Sequence, residues 1–179
     1  MASTTSPRGA QKPPICINQL LSAAEITGEW GLGRVSHYLK YALPECGWPF
    51  HTYGGSTTCT TYAYVLDSGV SSHKDLGDCA KNRFRADNSW PPDDVCGYGT
   101  HIAGRFCAGK HRVAKNVRVI GVKAAEGEDA MCSGPWSGVM KGMEWSYKDA
   151  KDNGRLSRSV VNMSLGRSRA GLVADCMDY

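Results

Sequence analysis

Apolar residues in this chain fall into short runs separated by Gly-, Pro- and Asp-rich stretches. The densest is Thr61-Tyr62-Ala63-Tyr64-Val65-Leu66, which closes on Asp67-Ser68-Gly69-Val70. Its β-branched and aromatic content favours a strand, and the lack of polar groups on either face suits a strand covered on both sides. A carboxylate at the end of such a strand is costly unless it is paired or hydrogen-bonded. It also stands where open α/β sheets gather ligands. Val117-Arg118-Val119-Ile120-Gly121-Val122 and Ser159-Val160-Val161-Asn162-Met163-Ser164 repeat the strand pattern.

Helical spacing lies between these runs. Cys96-Gly97-Tyr98-Gly99 reads as a turn opening a helix that continues through Thr100, His101, Ile102, Ala103, Phe106 and Cys107 and stops near Gly109. A longer helix is predicted from Pro135 to Asn153, with Ser133 as N-cap, Pro135 in the first turn and Gly154 as the stop. Trp136, Val139, Met140, Met143, Tyr147 and Ala150 recur at helical spacing and predict a core-facing stripe. Residues 1–14 read as a disordered lead, Ile15 to Ala24 as a short helix, and Trp30 to Val35 as an apolar arm. Pro44–Thr58 and His73–Pro92 are predicted loops. Strand, helix, strand, helix, strand implies right-handed crossovers and a parallel sheet with helices on both faces, an α/β fold. The sequon at Asn162 falls in a predicted buried strand and reads as structural.

Composition narrows the picture. A net charge of +4 comes from basic residues interspersed with acids, so no nucleic-acid stripe is expected. No run is long enough for a membrane span, and residues 1–14 have no apolar signal core. Eight cysteines, none in a Cys-x-x-Cys pair, argue against a metal knuckle and towards disulfides in an oxidising compartment. No metal and no cofactor are expected.

Three segments, in order, resemble subtilisin-like serine proteases of the proteinase K branch. Tyr64-Val65-Leu66-Asp67-Ser68-Gly69-Val70 is similar to their Asp motif. Gly97-Tyr98-Gly99-Thr100-His101-Ile102-Ala103-Gly104 resembles their His motif, and Val161-Asn162-Met163-Ser164-Leu165-Gly166 their substrate-groove strand. Lesser likenesses at Trp30–Val35, Val113-Ala114-Lys115, Gly121-Val122-Lys123 and Gly142-Met143 extend the resemblance from about Ala23 to Arg167. It implies a partial subtilisin-like fold: residues 1–22 are a disordered or leader segment, and 23–179 the N-terminal part of a peptidase domain. It further implies secretion.

The family's triad is Asp, His and Ser in that order. The resemblance assigns Asp67 the Asp position. The His position holds Tyr98, and His101 matches a second, non-catalytic His. A general base for a serine needs a pKa near neutrality, whereas a phenol titrates near 10. The expectation is that the Tyr98 hydroxyl donates to Asp67, filling the imidazole's place without relaying a proton. The family's Gly-Thr-Ser nucleophile motif is not among the 179 residues; Ser68, Ser133 and Ser164 match non-nucleophilic positions. Peptide binding by β-addition is implied for Ser164, Leu165 and Gly166 on one edge, and for Ser133 and Gly134 on the other. Arg167 replaces the usual second Gly of that strand.

Three functional readings follow. The first is an inactive, truncated homologue or fragment of a serine endopeptidase. The second is a non-enzymatic module that holds an extended peptide or protein segment in the remaining groove. The third is a working hydrolase with a different nucleophile, such as a cysteine, although neither Cys107 nor Cys132 is paired with a predicted base.

Overall fold

The structure, a computed structural model, describes residues 24–26, 31–32, 35, 50–52, 60–109, 111–127 and 132–166. The chain divides into two units, Met1–Ser56 and Thr57–Tyr179. In the first, β1 (Ala24–Ile26) pairs antiparallel with β2 (Phe50–Thr52), Glu25 opposite His51. The predicted loop at Pro44–Thr58 therefore contains a strand. Phe50-His51-Thr52 has the aromatic and β-branched content of one, in a run too short for periodicity to register. Gly31, Leu32 and Val35 are helical. The lead at 1–14, and the predicted helix at Ile15–Ala24 apart from Ala24 itself, lie outside the described residues.

The second unit is built on a parallel sheet in the order β4-β5-β3-β6. Its strands are β3 (Thr61–Asp67), β4 (Ala80–Arg85), β5 (Val117–Lys123) and β6 (Ser159–Asn162). Registers are regular between β3 and β5, with Thr61 opposite Val117 and Asp67 opposite Lys123. Two helices, α1 (Tyr98–Cys107) and α2 (Trp136–Asp152), supply the crossovers. Alternate residues of β3 and β5 serve opposite faces. Ala63, Val65 and Val119 pack with Ala103 and Cys107 of α1. Tyr64, Leu66, Ile120 and Val122 pack with Val139 and Ala150 of α2. Tyr64, Val65, Leu66 and Val122 are fully buried, and each such side chain contributes about 1.5–3 kcal/mol of transfer free energy. The predicted α/β architecture with helices on both faces is the observed one.

Four local expectations are corrected. His73–Pro92 is not a loop throughout, because β4 lies inside it as the sheet's outer strand. Its Lys81, Arg83 and Arg85 are the charges that edge strands carry, and they mask the pattern. The apolar stripe on α2 is divided: Val139 and Ala150 are buried, but Met140, Met143 and Tyr147 are exposed. The helix instead packs through Gly138, Gly142, Ser146 and Ala150. It lies so close to the sheet that a Cβ on Gly142 would come within 2.4 Å of Leu66 Cδ1. Ser133 does not cap α2. Pro135 occupies the cap position without a side-chain bond, and Ser133 exchanges backbone hydrogen bonds with Glu126 instead. Finally, β6 is exposed at Val160 and Val161 rather than buried, because it is the sheet's other edge among the described residues. Gly154 does end α2, with a positive φ of 61° that side chains disfavour.

Candidate active-site cleft

Parallel strands bring their C-terminal ends to one edge of the sheet, and the connections leaving that edge build the cleft. β3 delivers Asp67, α1 begins at Tyr98, the segment entering α2 carries Ser133 and Gly134, and the segment leaving β6 carries Ser164, Leu165 and Gly166. All of these residues line one cavity of about 560 Å³. Its apolar wall comes from Ile102, Ala124, Trp136 and Val139.

Asp67 is 5% exposed, and its Oδ1 accepts from the Ser68 N–H at 2.8 Å and the Ser68 hydroxyl at 3.2 Å. Burial pushes its pKa above the ordinary carboxylate value, the two Ser68 bonds oppose that, and the charge of Asp94 adds to the upward push. The Ser68 hydroxyl in turn accepts from the Gly99 N–H at 3.1 Å. That bond holds the first turn of α1 against the end of β3. The approach requires glycine, since a Cβ on Gly99 would stand 1.9 Å from the Gly69 carbonyl oxygen.

Tyr98 lines the cavity but is 49% exposed, and its hydroxyl has no hydrogen-bond partner among the described residues. The expected donation to Asp67 is therefore not formed. Ser68, the next residue along, supplies the bonds instead. No histidine is among the residues lining the cavity, and His101 is exposed on α1. The serines have other engagements. Ser68 is fully buried between Asp67 and Gly99, and the Ser164 hydroxyl donates to Asn162 Oδ1 at 3.0 Å.

Sequence reasoning missed Asp94. Its carboxylate is 8% exposed and accepts from the Gly97 N–H at 2.9 Å, the Thr100 N–H at 2.8 Å and the Thr100 hydroxyl at 2.6 Å. Burial pushes its pKa up, but hydrogen bonds from the Thr100 hydroxyl and from the N–H groups of Thr100 and Gly97 outweigh it, so the net shift is downward. The available signal was an Asp just ahead of a helix start, which complements the unpaired N–H groups and the dipole there.

One disulfide and one ion pair brace the cleft walls. Disulfides join Cys79 to Cys107 and Cys96 to Cys132. The second ties the approach to Tyr98 to the approach to Ser133. Both Cys107 and Cys132 are thus consumed in disulfides, which removes these two as nucleophiles. Lys123, fully buried, donates to the Asp93 carbonyl and pairs with Glu126, joining the same two approaches. Cys16, Cys46, Cys59, Cys176 and Arg167 lie outside the described residues. Among the described residues, no group of His, Cys, Asp or Glu is placed to hold a metal ion, and no helix is long and apolar enough to cross a membrane.

Comparison with known proteins agrees with this geometry. The chain is 33% identical over 169 residues to Subtilisin-like protease 5 of Arthroderma otae, covering 90% of this chain and 38% of that protein. It is 37% identical over 145 residues to a subtilisin-like protease of Coccidioides posadasii, covering 79% and 33%. A crystal structure of a cold adapted subtilisin-like serine proteinase superposes with a TM-score of 0.51 at 29% identity, over 65% of this chain and 41% of that one. The chain thus spans 38% or less of the length of these two relatives. The Subtilase family (peptidase S8) matches residues 62–177, the stretch holding the whole parallel sheet beyond Thr61, and the chain belongs to that family.

Proposed function

We propose that this chain is a catalytically inactive homologue of a subtilisin-like serine endopeptidase. The supporting observation is Tyr98: a half-exposed phenol without a bond to Asp67, at the place where a proton acceptor is needed. Removing a serine's proton near neutral pH calls for a base titrating near neutrality, and a phenol is protonated there. This reasoning is independent of any residues before or after the 179, because a serine contributed by a further stretch would still face a phenol. The two disulfides favour an oxidising, extracellular setting.

A second reading is favoured by the cleft's preserved edges. Ser133–Gly134 and Ser164–Gly166 line the same cavity, and Ser133, Gly134, Ser164 and Gly166 are exposed. An extended peptide laid between them would pair with backbone on either side. In that reading the chain is a peptide-holding module.

Purified chain treated with a fluorophosphonate probe is expected to remain unlabelled, and stable labelling would overturn the inactive reading. Tyr98→His should leave the 179-residue chain inactive. Titration with extended peptides should give saturable binding if the cleft holds a segment, and a flat response to a varied peptide set would end the second reading.

A further inference from the structure

At the opposite end of the strands from the cleft lies a second cavity of about 460 Å³. Its floor is Thr60, just before β3, and Val117, the first residue of β5, and one side is the Cys79–Cys107 disulfide, which fixes the end of α1. Lys74, Arg112, Lys115 and Arg118 line it, against two carboxylates, Asp75 and Asp78. Asp78 is already engaged by Lys81 at 2.9 Å, and Asp75 stands 3.8 Å from the His73 imidazole. The carbonyl end of α1 adds partial negative charge nearby. Even so, positive charge prevails in the lining.

Arg112 is the unusual member. Its Nε is closed off from solvent and has no acceptor among the described residues. A buried donor left without a partner costs on the order of 1–3 kcal/mol, more when the group is charged. Lys74 is exposed and has no partner among the described residues. Arg118 donates one Nη1 hydrogen to the Asp78 carbonyl at 3.0 Å. What such a pocket lacks is an acceptor with several oxygens, and a guanidinium fork matches phosphate-type geometry.

We propose that this pocket binds a tetrahedral oxyanion, phosphate or sulfate, with Arg112 as the principal donor and Lys74, Lys115 and Arg118 around it. The site is separate from the cleft, lying at the far end of a seven-residue strand. Binding there would tie the start of the sheet to the connection that leaves α1.

The test is calorimetric titration of the full 179-residue chain with inorganic phosphate and, separately, inorganic sulfate, at ionic strength held constant with sodium chloride. Saturable binding of at least one anion is expected. Arg112→Gln should weaken it by about tenfold or more. Lys74→Gln, an exposed position that leaves the fold unchanged, should weaken it by about threefold. Tighter binding of phosphate than of sulfate would assign the natural ligand to the phosphoryl class, and the reverse to the sulfuryl class. Heats of dilution alone for both anions, or affinity unchanged in Lys74→Gln, would overturn the proposal.

Discussion

Asp94 carries the sharpest test of how the cleft is built. Its carboxylate receives three hydrogen bonds of 2.6–2.9 Å, two of them from backbone N–H groups at the start of α1. Asp94→Ala removes both acceptor oxygens and with them all three bonds. Hydrogen bonds to charged groups contribute about 1.5–3 kcal/mol each, and bonds that share one acceptor group do not add fully. The expected loss is therefore about 3–5 kcal/mol, against a typical total of about 5–15 kcal/mol. Asp94→Asn keeps one acceptor oxygen and should lose about half as much. Urea unfolding with the disulfides intact reads both values at pH 7. The pH dependence supplies an independent check. The folded pKa of Asp94 is depressed, so its contribution is complete above the unfolded value of about 3.9 and is lost as pH falls through the folded pKa. The parent should lose stability in that acid window, and Asp94→Asn should lose less. A Asp94→Ala variant within about 0.5 kcal/mol of the parent would refute the assignment of Asp94 as the support of α1.

Asp67 should behave with the opposite sign. Its folded pKa is raised, so the ionised form is disfavoured in the native state, and Asp67→Asn should raise the urea midpoint at neutral pH, with the gain vanishing below about pH 3.9. Gly99→Ala, with Gly69 backbone at 1.9 Å, should prevent α1 from docking and cost more than about 3 kcal/mol, whereas Gly142→Ala meets the movable end of Leu66 and should cost about 1–3 kcal/mol, both read from thermal midpoints. Lys123→Met leaves Glu126 without its buried cation and should cost about 3–5 kcal/mol, largely restored by adding Glu126→Gln. The Tyr64 hydroxyl is pushed up to about 12, by burial first and then by its bond to Asp149. An unfolded tyrosine ionises near 10, so stability should decline between about pH 10 and pH 12, and Tyr64→Phe should flatten that decline.

What was legible in the sequence was what repeats or is dense. β3 and β5 announce themselves because strands covered on both faces over most of their length read as near-continuous apolar runs, and few other elements do. The positions of Asp67, Tyr98, Ser133 and Ser164 at one edge follow from parallel topology once the strand order is known. β4 was hidden because an edge strand uses Lys81, Arg83 and Arg85 to discourage further pairing, and charge reads as loop. The facing of α2 was hidden for a subtler reason. Hydrophobicity marks Met140, Met143 and Tyr147, but close approach to Leu66 and Val122 selects the small residues Gly138, Gly142 and Ser146. Periodicity records apolarity, not the distance between layers. Asp94 was hidden because its partners lie a short loop away, and no one-dimensional pattern shows a carboxylate folding back beneath a helix.

The surroundings of Asp67 also bear on the proposed inactive reading. A carboxylate that orients an imidazole is balanced by the positive charge formed there during the reaction. Here no such group is among the residues lining the cavity, and the donors that reach Asp67 are those of Ser68, fixed by their place in the chain. Lys123 stands opposite Asp67 in the β3–β5 register, yet its ammonium is engaged by Glu126 and the Asp93 carbonyl. Asp94, a second carboxylate, adds repulsion. The result is a buried acid whose ionised form the fold opposes, at a site where the family resemblance calls for a stable anion. In the proposed reading, a phenol in the imidazole's place leaves the site without a base and without the counter-charge that such a carboxylate would balance. The glycine contact, the Asp94 support and the Cys96–Cys132 brace hold the cleft's shape independently of that chemistry.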